Sequence, residues 1–171
     1  MSFSIAETTS RLFSPRHELS CSWTVWRRLL AELRLRGDSR HESGAFLLGR
    51  RFAGRARVVD FVPYYDLDSH CLDTGIVRFD GRYFGQLWEI CRERGLTVVA
   101  DVHTHPDGTG QSPSDRANPM IGQAGHVALI VPNFAEGCPK RRSIGMYRYR
   151  GNHEWDEVPA NQRHVFLHIG F

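Results

Sequence analysis

Residues 96–106 read Leu-Thr-Val-Val-Ala-Asp-Val-His-Thr-His-Pro. From Leu96 to Val102 the run is nearly continuous in apolar side chains, the pattern of a strand buried on both faces. Val127–Val131, Val-Ala-Leu-Ile-Val, repeats that pattern. Two such strands belong in the middle of a sheet covered on both sides. Within the first, His103 and His105 are two residues apart, so they project to one face at a spacing of about 6.5–7 Å. Pro106 holds His105 extended and halts the ladder, leaving both imidazoles at a strand end that faces a loop.

Outward from this strand, the chain alternates helical and strand-like patterns. Trp26, Leu29, Leu30 and Leu33 share one face of a helix predicted over Trp23–Arg36, with Ser22 as N-cap and Gly37 as the stop. A second helix is predicted from Gly81 to Arg94, capped by Asp80 and ended by Gly95, with Phe84, Leu87, Trp88 and Cys91 as its buried stripe. Further strand-like runs are Ala45–Leu48, Arg57–Val62, Ile76–Phe79, Ile144–Tyr149 and Val165–Ile169, the last two more peripheral because polar residues alternate or flank. The order implies an α/β fold, one mixed β-sheet packed between helices. The opening 20 residues are weakly patterned and read as a loose segment or an edge strand, and the whole chain 1–171 reads as a single domain.

Composition narrows the classes. The 171 residues are 41% hydrophobic and 24% charged, a globular balance. No apolar stretch approaches the ~18 residues of a membrane span. The start, MSFSIAETTSRLFSPRHE, lacks a charged segment followed by an unbroken apolar run, so no secretory signal is expected. The net charge of +3 does not argue for nucleic acid, and no nucleic-acid or membrane partner is expected. Cys21, Cys71, Cys91 and Cys138 form no C-x-x-C pair, so four reduced thiols in a cytoplasm are expected. Lys140 is the chain's single lysine; the other 21 basic residues are arginines.

The chemistry concentrates in three segments. After the histidine pair comes Ser112-Pro-Ser-Asp115, which reads as a helix start with Pro113 at the first position and Asp115 reciprocating the Ser112 cap. A carboxylate held in that first turn can face the histidine pair. His103, His105 and Asp115 then make three protein ligands with a fourth position for water, the composition of a catalytic zinc site. The Ser112 hydroxyl can accept from the backbone and still donate its own proton into the site. Upstream, His41-Glu42-Ser-Gly-Ala-Phe-Leu-Leu-Gly49 carries a carboxylate into a short apolar strand, a source of the base such a site needs.

Glu42-Ser-Gly-Ala-Phe-Leu-Leu-Gly49, His103-x-His105-Pro106 and Ser112-x-x-Asp115 together resemble the JAB/MPN (JAMM) zinc metallopeptidase family. The motif span, 42–115, covers 74 of 171 residues. The resemblance implies a cytidine-deaminase-like MPN architecture and one zinc ion per chain, held by His103, His105 and Asp115. It implies Glu42 as the general base, outside the ligand set, and Ser112 as the oxyanion donor. Asp101, two residues before His103, is a candidate to orient an imidazole. The substrate implied is a ubiquitin-like protein cut after its C-terminal glycine, with its conjugates and E1- or E2-like enzymes of the same system as partners. The compact form resembles the prokaryotic branch, part of which serves antiviral defence. The loop Tyr64–Gly75, with His70 and Cys71, is expected to line the channel for the substrate tail.

Three other readings compete. Asp101-x-His103-x-His105 is similar to the first-strand motif of amidohydrolase barrels, but only 66 residues follow His105, too few for a barrel of roughly 250. An inactive MPN scaffold acting as a binding module would be expected to lack ligands that are all present here. A peptidase that processes a sulfur-carrier protein is not separated from a deconjugase. The nine arginines of Arg27–Arg57, against Glu32, Asp38 and Glu42, read as a solvated helix face plus strand edges, with a docking face for an acidic partner as the alternative.

Overall fold

The computed structural model describes residues 17–170. The strands are β1 (Leu19–Ser22), β2 (Gly44–Phe52), β3 (Arg55–Pro63), β4 (Thr97–Thr104), β5 (Val127–Val131), β6 (Gly145–Gly151), β7 (Glu154–Glu157) and β8 (Leu167–Gly170). The helices are α1 (Trp23–Gly37), α2 (Tyr64–Leu67), α3 (Phe84–Arg94), α4 (Pro113–Ala117) and α5 (Arg163–Phe166). All eight strands form one sheet in the order β7-β6-β5-β4-β2-β3-β1-β8. β4 pairs in parallel with β5 and antiparallel with β2, so the sheet is mixed, and the two apolar runs lie inside it. The fold is α/β, with helices on both faces.

Side-chain alternation divides the core between those faces. Ala45 and Leu47 of β2, with Ala100, Val102 and Leu129, meet Trp26, Leu29, Leu30 and Leu33 of α1. Phe46 and Leu48 point the other way, onto Leu87 and Cys91 of α3. The strict period of two in β2 commits adjacent residues to separate cores. His103 lies between Ala100 and Val102 of the α1 core and the strand end, and its register partners are Gly44 and Ile130. Ile130 belongs to the cluster opposite α1, so His103 projects on the α3 side.

Several boundaries differ from the expectation. Ser22 caps α1 by accepting from the Val25 N–H (3.2 Å), but Asp38 and not Gly37 takes the left-handed turn (φ 46°). Gly37 remains helical and lies beside Ser43, whose hydroxyl donates to the Leu33 carbonyl (2.7 Å). Asp80 caps a 3-10 turn over Gly81–Tyr83 that leads into α3. Trp88 is 48% exposed and stacks on Phe84 instead of entering the core. Ile76–Phe79 joins no sheet; the Val77 and Arg78 N–H groups go to Glu42 and to the Cys71 carbonyl. Val165–Phe166 ends a short helix, and only Leu167 onward is strand. The expectation for the N-terminal segment lies outside the described residues up to residue 16, and Leu19–Ser22 is an interior strand between β3 and β8. No helix among the described residues is long and apolar enough to cross a membrane.

Candidate metal centre

Three elements deliver the site. β4 ends on Thr104, with His103 its last residue but one and His105 just beyond. The Glu42 segment is tied to this end: the Ser43 N–H donates to Thr104 Oγ1 (2.9 Å) and the Thr104 N–H to the Ser43 carbonyl (2.8 Å). Next to it, Gly44 must be glycine, because a Cβ there would lie 2.2 Å from the Tyr64 ring. α4 supplies the third element through a capping box. The Asp115 N–H donates to Ser112 Oγ (3.2 Å), and the Ser112 N–H donates to Asp115 Oδ2 (2.7 Å).

The loop between His105 and α4, and α4 itself, are pinned from β6 and β7. The Tyr147 hydroxyl donates to the Thr109 carbonyl (2.7 Å) and the Trp155 indole N–H to the Arg116 carbonyl (3.2 Å). A Cβ at Gly145 would stand 2.3 Å from the Thr109 oxygen, so that glycine admits the loop. A helix of five residues has little stability of its own; these anchors and the cap fix Asp115.

His103 Nε2 and His105 Nε2 are 3.0 Å apart, His105 Nε2 is 3.2 Å from Asp115 Oδ2, and His103 Nε2 is 3.5 Å from Asp115 Oδ1. One donor atom from each of these three residues lies within 4.8 Å of the other two. Donors held tetrahedrally at ~2.0–2.1 Å from a zinc ion stand about 3.3–3.4 Å from one another. The triangle matches that size, and two imidazole nitrogens facing each other require a cation or a shared proton between them. The residues fit a metal ion. Both histidines are buried.

The electrostatics agree. Burial pushes the Asp115 carboxyl up, but His103, His105 and the Ser112 N–H outweigh it and hold it far below the usual carboxylate range. Burial lowers the His103 imidazole, and Asp115, Asp101 and Glu42 overcome this and raise it. This surplus of negative potential favours a cation. Glu42 is adjacent but separate: Oε1 is 3.8 Å from His105 Nε2, and Oε2 accepts from the Val77 N–H (3.3 Å).

Two expected roles are corrected by position. Asp101 does not touch either imidazole of the pair. Its Oδ1 accepts from His126 Nε2 (2.5 Å) and its Oδ2 from the Tyr64 hydroxyl (3.1 Å), all three residues being buried. The register explains it: Asp101 pairs with Ala128, and His126 stands two residues before Ala128 on the same face. With both Asp101 oxygens engaged, His103 Nδ1 is buried with no hydrogen-bond partner among the described residues. Sequence reading missed His126 and Tyr64; the one available signal was a histidine directly before the Val127–Val131 run.

Cys71 cannot line a channel. It is 1% exposed, in the core beneath α3, and burial pushes its thiol up to about 12. The loop folds inward because the Asp68 carboxylate accepts from the His70 and Asp80 N–H groups. His70 is exposed and bonds to Asp73 (2.9 Å). The wall facing Asp115 is instead Val77, Arg78 and Phe79, which with Ser114, Asn118 and Met120 line a groove of about 360 Å³. The arginine-rich stretch is not one face either. Arg28 and Arg36 pair with Asp60, Glu32 and Asp66, whereas Arg50, Arg51, Arg55 and Arg57 lie on the β2–β3 hairpin.

Comparison with known proteins is consistent with this geometry. Residues 24–142 match the family described as prokaryotic homologs of the JAB domain. A probable metalloprotease, y4jG, of Sinorhizobium fredii is 35% identical over 68 residues, spanning 40% of this chain and 42% of that relative. The chain thus spans well under two thirds of the length of that relative. The solution structure of protein DSY2949 from Desulfitobacterium hafniense superposes with a TM-score of 0.63 at 18% identity, over 88% of this chain and 92% of the other, and so shares the fold. The matched span runs from α1 past the whole His103, His105 and Asp115 cluster, and the chain belongs to the family of prokaryotic JAB-domain homologues.

Proposed function

We propose that the chain is a zinc-dependent metallopeptidase that cleaves after the C-terminal glycine of a ubiquitin-like protein. The observation that carries the reading is the triangle of His103, His105 and Asp115 donors with the Glu42 carboxylate beside it and outside it. When bound, the metal supplies an acidified water and a Lewis acid for the scissile carbonyl. Glu42 takes the proton of the attacking water and delivers it to the leaving amine. The Val77 N–H fixes the Glu42 carboxylate, so the base reaches the site without becoming a ligand. Ser112 Oγ already accepts from the Asp115 N–H, which leaves its own proton to donate to the developing oxyanion.

The groove between Val77–Phe79 and Ser114–Asn118, which Asp115 also lines, offers a path for an extended tail of small residues to reach the donor cluster. The test is a panel of ubiquitin-like proteins, each carrying a C-terminal extension or an isopeptide-linked lysine peptide, incubated with the zinc-loaded chain. Cleavage after the terminal glycine, abolished by a chelator and restored by zinc, supports the reading. Chelator-sensitive cleavage of unrelated peptides alone would retain the peptidase and discard the substrate.

A further inference from the structure

On the sheet face opposite the metal centre, a cavity of about 420 Å³ opens between the first two turns of α1 and the segment Cys138–Arg142. That size lies within the range of small-molecule sites. Its lining carries Arg27, Lys140, Arg141, Arg142 and His164, and no carboxylate. Elsewhere in the described residues eight arginines, from Arg28 to Arg163, are matched with an aspartate or glutamate, and eight are not, four of them spread along the β2–β3 hairpin. None of the four fixed cations of this cavity has such a partner among the described residues. Four like charges gathered around one concave surface repel one another, and an anion placed between them relieves that repulsion.

The cavity is also aromatic. Trp23 is 46% exposed, and its indole stacks on no ring and carries no cation among the described residues. Trp26, buried beneath it, and Leu30 make an apolar floor. An open indole beside unpaired cations matches a ligand with one planar ring and one strongly anionic end. Lys140 offers a compact point charge and the arginines planar forks, complementary ways of holding phosphate oxygens.

We propose that this cavity binds a nucleoside polyphosphate, its base on Trp23 and its phosphates on Arg27, Lys140, Arg141 and Arg142. The site is independent of the peptidase reading, because its walls belong to the α1 side of the sheet and His103 projects on the other. The test uses the full chain with ATP and GTP, inorganic triphosphate and a hexaglutamate peptide as probes, repeated on the His103→Ala chain to remove the metal centre. Tryptophan fluorescence reports binding. Amine acylation read by peptide mapping reports on Lys140, the chain's only lysine.

The expected result is quenching by a nucleotide in both chains, protection of Lys140, and binding of inorganic triphosphate weaker by about tenfold or more. Trp23→Ala should weaken nucleotide binding about tenfold, and Arg27→Ala with Lys140→Ala at least as much with a shallower salt dependence. These side chains are exposed, so an unchanged melting temperature shows that the variants fold. No binding up to about 1 mM nucleotide, equal affinity for inorganic triphosphate, or tighter binding of hexaglutamate would each overturn the assignment.

Discussion

Glu42 Oε1 lies 3.8 Å from His105 Nε2, while Glu42 Oε2 accepts from the Val77 N–H. A carboxylate at that separation is close enough to exchange a proton through one water, and Glu42 is not one of the three residues whose donor atoms all lie within 4.8 Å of one another. Glu42→Gln keeps the size and the acceptor for Val77 but removes the proposed base. We expect kcat to fall by about 10²–10⁴-fold with zinc content unchanged. Loss of the metal in this variant, measured by elemental analysis, would show Glu42 to be a ligand.

Ser112 caps α4 through its hydroxyl oxygen, and in the proposed reaction the same hydroxyl donates to the oxyanion. Ser112→Ala removes the α4 cap, at a cost of about 1 kcal/mol, and with it the proposed oxyanion donor, at an expected cost of about 10²–10³ in kcat. Ser112→Thr retains both functions and should recover most of the rate. If Ser112→Ala alters only the melting temperature, the hydroxyl has no part in the reaction.

The Asp101–Tyr64–His126 cluster is a structural support beneath the histidine strand. Tyr64→Phe loses one buried hydrogen bond and should cost about 1 kcal/mol. Asp101→Ala strands both the Tyr64 hydroxyl and His126 and should cost about 3 kcal/mol or more, several degrees in Tm. Denaturant melts of the two variants measure this directly. Equal melts would mean that water replaces the carboxylate without cost.

The four cysteines should separate sharply by reactivity. Cys21, Cys71 and Cys91 are buried, and burial pushes the thiols of Cys21 and Cys71 up to about 12. Cys138 is exposed. At about pH 8, disulfide-exchange reagents should label one thiol per folded chain rapidly and all four in denaturant. Two rapidly labelled thiols would place the Cys71 loop in solution and reopen its part in a substrate channel.

Much of the fold was legible because it rests on local physics. The apolar runs at Leu96–Val102 and Val127–Val131 sit inside the sheet, where only continuous apolar strands satisfy both faces. The α1 stripe and the Ser112–Asp115 capping box follow from helical spacing and from hydrogen bonds within four residues. What the sequence left hidden depends on long-range register. Asp101 meets His126 only because β4 and β5 pair in parallel with Asp101 opposite Ala128. Ile76–Phe79 has strand composition, yet its N–H groups at Val77 and Arg78 go to Glu42 and to Cys71, so it becomes a groove wall. Cys71 turns inward through Asp68, a contact no periodicity encodes.

Metal stoichiometry is the most direct test. Purified chain dialysed against zinc should retain one ion per molecule, and His103→Ala and Asp115→Ala should each retain essentially none while staying folded. Full occupancy in either variant, or none in the unaltered chain, would contradict the assignment of His103, His105 and Asp115 as the ligands.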